Sequence, residues 1–157
     1  MKYTLIAVGK TVKKYLIEAE NEYEKRLKHY TKFEEVVIPE LKNVANRSFE
    51  EIKMEEGKLI LSKIKNEDRV VLLDENGKEF TSVQFSKKVE KWQLSGVKNV
   101  VFVIGGAYGF SSEVYQRANE KLSLSQMTFS HQMIRTFFKE QLYRAHTILK
   151  GEPYHHQ

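Results

Sequence analysis

The chain has 157 residues, of which 41% are hydrophobic, enough to fill one domain-sized core with little left for a second. It contains no Cys, which excludes a disulfide scaffold, thiolate metal sites and Cys nucleophiles, and fits a reducing compartment, the cytoplasm. The 26 Lys and Arg against 21 Asp and Glu leave a net charge of +5, favouring a polyanionic partner without requiring one, and no membrane is expected: no apolar run approaches the roughly 20 residues that cross a bilayer, and the opening residues do not form a signal peptide.

Residues 3–8 predict a first strand that ends at Gly9. From Thr11 onward, Val12, Tyr15, Leu16, Ala19, Tyr23, Leu27 and Tyr30 recur at the three-and-four spacing of an amphipathic helix. Residues 33–38 predict a second strand closed by Pro39, and 41–47 a loop. Ser48 and Glu51 have capping-box spacing, and Ile52, Leu59, Ile60 and Ile64 mark the buried stripe of a second helix. The unbroken Val70-Val71-Leu72-Leu73 reads as a strand covered by helices on both faces, with a turn predicted at Glu75-Asn76-Gly77-Lys78. Thr81 and Gln84 offer another capping pair for a helix striped by Phe85, Val89 and Trp92 and ended by Gly96.

Residues 99–104 form a second fully apolar strand that runs into Gly105-Gly106-Ala107-Tyr108-Gly109. A short helix at about 112–119, a strand-like segment at 121–124 and a polar loop follow. The last helix, striped by Met133, Ile134, Phe137, Phe138, Leu142, Ala145, Ile148 and Leu149, is closed by Gly151 and Pro153, and its apolar face is wider than one core contact needs. The strict alternation of strand and helix predicts a single-domain α/β fold with a mostly parallel sheet flanked by helices.

Such a sheet takes its ligand beyond the carboxyl ends of its strands, marked here by Gly9 and by residues 74–77, 105–109 and 125–128. Gly105, Gly106 and Gly109 miss the spacing of a dinucleotide fingerprint, and Gly9-Lys10-Thr11 lacks the first glycine of a phosphate loop, where Thr4 stands. The glycines fit either close ligand approach or a plain strand-to-helix turn. His29 and His146 read as ordinary surface or boundary residues, whereas His131 opens the last helix, where capping and chemistry both fit. His155 and His156, with no acidic ligand beside them, make a poor metal site, and no metal is expected. The tail Tyr154-His155-His156 combines a ring that can stack on a base with groups that hydrogen-bond phosphate or base edges, and fits either an RNA contact or a frayed terminus. Arg135 and Lys139, one helical turn apart, and Arg144 further on fit a solvated charged face or a phosphate-contact surface.

Taken together, Val100-Val101-Phe102-Val103-Ile104 entering the glycine loop, the segment from Leu122 through Ser125-Gln126-Met127-Thr128-Phe129-Ser130-His131 to Arg135, Glu140-Gln141-Leu142-Tyr143-Arg144-Ala145, and Pro153-Tyr154-His155 resemble the bacterial RlmH family of SPOUT-class methyltransferases. Ala7-Val8-Gly9-Lys10 and Glu22-Tyr23-Glu24-Lys25-Arg26 extend the likeness over nearly the whole chain. The resemblance implies one methyltransferase domain over residues 1–157 with a C-terminal trefoil knot, an obligate homodimer, and transfer of a methyl group from S-adenosylmethionine to N3 of a pseudouridine in large-subunit ribosomal RNA, free or assembled in the ribosome. It places the cofactor contacts on Leu73, Gly105, Leu124, Ser125, Gln126, Met127, Thr128 and Phe129. It further implies that His131, Arg135, Arg144, Tyr154 and His155 orient the flipped pseudouridine and its phosphates, with His155 or His131 accepting the proton. His156 stands where relatives often carry a basic residue. A sulfonium methyl is already electrophilic, so alignment and proton removal are what the protein must add. Two readings stand beside this one: a noncatalytic RNA-binding module, and a flavodoxin-like binder of another nucleotide cofactor.

Overall fold

The computed structural model describes residues 1–156. Strands and helices alternate as β1 (Lys2–Val8), α1 (Lys14–Leu27), β2 (Lys32–Ile38), α2 (Phe49–Leu61), β3 (Arg69–Glu79), α3 (Ser82–Leu94), β4 (Asn99–Ile104), α4 (Ser112–Arg117), β5 (Glu120–Ser123) and α5 (Met133–Lys150). The strands form one five-stranded sheet in the order β2-β1-β4-β3-β5, parallel throughout. β4 lies at its centre, which is why its apolar run is unbroken: Val101 and Val103 face one layer while Val100, Phe102 and Ile104 face the other.

The two faces hold separate cores. On one, Tyr3, Leu5, Val71 and Phe102 pack against Leu27 of α1, Phe85, Val89 and Trp92 of α3, and Phe138, Leu142 and Ala145 of α5. On the other, Ile6, Val70, Leu72 and Val103 meet Ile60 of α2 and Val114 of α4. Of the two capping-box spacings, that at α2 is realised by half and that at α3 in full. Ser48 Oγ accepts from the Glu51 amide, and at α3 the exchange is reciprocal, with Thr81 Oγ1 accepting from the Gln84 amide and Gln84 Oε1 from the Thr81 amide. Gly151, in the left-handed region at φ 68°, ends α5. Among the described residues, no helix is long and apolar enough to cross a membrane.

Three elements differ from the sequence expectation. α2 stops at Leu61, so Ile64 lies beyond its end, and Leu59 is exposed. The segment 74–77 is no terminal turn: β3 bulges outward and rejoins β5, so that Leu122 pairs with both Leu73 and Lys78. Helix α1 begins later than Thr11, leaving Val12 outside it and exposed, because the Val12 and Lys13 amides donate to Gln132 Oε1 from across the fold instead of opening a helical turn; Tyr15 is within the helix but faces solvent.

Candidate active site

The carboxyl ends of β3, β4 and β5 surround a cavity of about 470 Å³. Its walls are Leu73 to Asn76 of the β3 bulge, Gly105 to Phe110 after β4, and Leu124, Ser125, Met127, Thr128, Phe129 and His131 after β5. Three of the four strand ends marked in the sequence thus converge, whereas Gly9, after β1, instead abuts Glu40. Gln126 is exposed and does not line the cavity.

Each wall is fixed by local chemistry. In the bulge, Asp74 Oδ1 accepts from the Asn76 amide at 2.9 Å, and Asp74 Oδ2 accepts from the Tyr115 hydroxyl at 2.6 Å. Burial together with this carboxylate pushes the Tyr115 phenol up to about 12, so it remains a donor. After β4, Gly106 and Gly109 pair across a tight turn, and Gly109 adopts φ 85°, a region that L side chains seldom enter. Space beside that turn is scarce: a Cβ on Gly105 would stand 3.1 Å from the Phe110 ring, and one on Gly106 would strike the Glu56 carboxylate. After β5, the Ser123 hydroxyl donates to the Ser125 carbonyl and the Met127 amide to Ser125 Oγ, both at 2.9 Å, while the Thr128 hydroxyl donates to Glu75 Oε2 at 3.0 Å and ties this loop to the bulge.

The cavity's charged side chains are Asp74 and Glu75; neither Lys nor Arg lines it, and His131 is its one imidazole. This is a poor setting for nucleotide phosphates and a good one for a cationic ligand. Among the described residues, no group of His, Asp and Glu could hold a metal ion.

The five residues expected to handle the substrate fall into three places. His131 lines the cavity. Arg135 does not reach it: only 1% exposed, its guanidinium donates to the carbonyls of Val8 and His131 and to Thr11 Oγ1, and so fastens the start of α5 to the end of β1. Arg144 of α5 and Tyr154 and His155 of the segment after it form a second cluster, which does not line the cavity. Arg144 Nη1 lies 3.2 Å from His155 Nδ1, its guanidinium sits 4.7 Å from the Tyr154 ring centroid, and both Arg144 and the Tyr154 hydroxyl donate to Glu140 Oε1. Arginine has no lone pair to offer, so His155 Nδ1 accepts and Nε2 carries the ring proton. Burial and the hydrogen bonds with Tyr23 and Glu140 hold the Tyr154 hydroxyl well above the ordinary phenol value.

Two further residues occupy environments their sequence context did not reveal. Lys139, read with Arg135 as a charged face, is fully buried against Glu20, Glu24 and Glu35 at 2.9, 2.7 and 2.7 Å. Burial alone would lower its pKa, but these carboxylates outweigh that and raise it. His146 is no boundary residue: it is 4% exposed, stacked on Tyr30 and edge-on to Tyr3. Sequence reasoning marked Asp74 only as part of the 74–77 strand end and passed over Tyr115; the Asp-x-Asn spacing ahead of Gly77, which favours a side-chain turn, was the available signal for the role of the first.

A family model described as "Predicted SPOUT methyltransferase" matches residues 1–155. Relatives named "Ribosomal RNA large subunit methyltransferase H" from Christiangramia forsetii, Parabacteroides distasonis and Flavobacterium johnsoniae are 57%, 58% and 57% identical to this chain, each over all of both sequences. Full-length identity at that level, on a parallel α/β sheet whose strand ends frame one cavity, shows that the chain belongs to the SPOUT methyltransferase family, among its ribosomal RNA large subunit methyltransferase H members.

Proposed function

We propose that the whole chain, residues 1–157, acts as one cytoplasmic methyltransferase domain with the C-terminal trefoil knot of its family, and methylates N3 of a pseudouridine in large-subunit ribosomal RNA. The observation that carries the reading is the cavity at the ends of β3, β4 and β5, whose two charged side chains are carboxylates. That donor set suits S-adenosylmethionine, a sulfonium that carries a transferable, electrophilic methyl group. About 470 Å³ falls in the range of small-molecule sites. Leu73, Gly105, Leu124, Ser125, Met127, Thr128 and Phe129 would hold it, with Gly105 giving close access to the backbone and Asp74 and Glu75 facing its positive charge.

His131, at the cavity wall, is assigned the N3 proton. Arg144, Tyr154 and His155 are assigned to the incoming nucleotide: Arg144 supplies a cation and Tyr154 a ring face, while His155, whose Nε2 is buried within its own chain, holds the guanidinium, and Glu140 braces the cluster. Since this cluster does not line its own chain's cavity, the reading requires a homodimer in which the tail of one copy completes the site of the other. Arg135 serves as a positioning residue for the His131 backbone, which its guanidinium grips at 3.1 Å.

Tritiated S-adenosylmethionine incubated with ribosomes, separated subunits and free ribosomal RNA, followed by nucleoside digestion, tests the assignment. Label recovered on pseudouridine is the expected result. Donor binding without transfer to any of the three substrates would reduce the protein to a noncatalytic binder.

A further inference from the structure

Beside the cavity mouth stands a feature that neither core uses. The rings of Phe49, the first residue of α2, and Tyr108, in the turn after β4, lie 4.1 Å apart and within 17° of parallel, closer and flatter than any other aromatic pair among the described residues. Both are open to solvent, Phe49 at 62% and Tyr108 at 43%, and neither belongs to a core cluster. Both are anchored by local hydrogen bonds. Tyr108 sits inside the turn closed by the Gly106–Gly109 bridge, and Phe49 follows the Ser48 cap. Tyr108 also lines the cavity, so the pair forms a step at its rim.

From this geometry we infer that Phe49 and Tyr108 form a stacking platform for an unpaired base next to the methylated nucleotide. The inference rests on the reading of the chain as an RNA methyltransferase. A target ring brought to the cavity carries its strand neighbours past the rim, and an exposed aromatic face takes any base without sequence preference. The surroundings favour a base over a phosphate. Glu50 and Glu51 fill the first turn of α2, and the nearby cations are already engaged, Lys53 with Glu50 and Arg47 with Glu55. The pair is therefore a positioning device: Phe49 stands outside the donor cavity, Tyr108 at its wall, and neither is the proton acceptor.

The test uses the full-length protein and ribosomes from a strain lacking this enzyme. Phe49→Leu, at an exposed site, is expected to raise KM for ribosomes roughly tenfold with kcat and donor affinity within about twofold of the parent, the size of one lost base stack. Phe49→Trp is expected to restore it. Independently, p-benzoylphenylalanine at position 49 is expected to crosslink, on irradiation, to nucleotides adjoining the methylated one. An unchanged KM, a loss of donor affinity in place of ribosome affinity, or a crosslink only to ribosomal protein would overturn the platform. Wild-type transfer in the same assay reports on the proposed function itself. If that transfer were absent, the crosslinked nucleotides would still decide whether position 49 meets RNA.

Discussion

At position 105 a single hydrogen stands where every other residue would set a carbon 3.1 Å from the Phe110 ring, so the β4 turn and the cavity wall meet without spare room. Gly105→Val adds two further methyl groups to that contact, pushing either Phe110 or the backbone into the cavity. Calorimetry is expected to show S-adenosylmethionine affinity reduced at least about tenfold, the scale of an overpacked contact of ~1–3 kcal/mol; unchanged affinity would mean the turn does not cradle the donor. His146 illustrates a residue whose environment acts on stability instead. Burial, with a smaller contribution from Lys150, lowers its pKa from 6.5 to about 4, so the folded chain keeps it neutral. Between these values the unfolded chain binds the extra proton, and stability therefore falls as pH drops from 6.5 toward 4, by up to about 3 kcal/mol. Urea denaturation across that range should show the fall in the parent and a flattened profile in His146→Phe, which keeps the ring between Tyr3 and Tyr30.

Among the elements, β3 shows where reading the sequence succeeds and where it stops. Its apolar half was legible from Val70 to Leu73, as was the whole of β4, because a strand buried on both faces leaves no polar alternation to misread. The bulge was not legible: Glu75-Asn76-Gly77 has turn composition whether the strand ends there or loops out and returns to the same neighbour. The return depends on Gly77, where a Cβ would stand 2.6 Å from the Leu122 backbone nitrogen and 2.7 Å from its carbonyl carbon. Backbone cannot rotate away as a side chain can. Gly77→Ala is therefore expected to cost roughly 2 kcal/mol or more in stability, and to loosen the pairing at Lys78 and Glu79, visible as faster amide exchange in β5 than the parent shows. Protection of β5 equal to the parent's would show that the bulge tolerates a methyl group. The same limit explains the charged residues of α5. Helical spacing placed Arg135, Lys139 and Arg144 within a few turns of one another, but the partners that bury the first two, Val8, Thr11, Glu20, Glu24 and Glu35, come from β1, α1, β2 and the loop between them, and no local pattern announces them.

For the molecule as a whole, the sheet's strand ends were legible as the ligand side because any parallel sheet opens there, and the resemblance chose among them; what periodicity could not give was the division of the expected site into two separate clusters. His131 belongs to the cavity, while Arg144, Tyr154 and His155 form a separate cluster braced by Glu140 that does not line it. If both clusters serve one reaction, each working site draws on two copies, and that arrangement leaves a signature no single-chain site can produce. Gly105→Val disables a cavity and spares the tail, whereas Arg144→Ala disables the tail cluster and spares the cavity. Each homodimer alone should transfer almost no methyl to ribosomes. When the two variants are unfolded together and refolded at equal concentration, half of the dimers should be mixed, and one site in each should join an intact cavity to an intact tail, so transfer is expected to recover to about a quarter of the parent's rate under random pairing of isologous subunits. Were cavity and tail required from the same chain, every mixed dimer would carry two defective sites, and the refolded mixture would remain as inactive as its components.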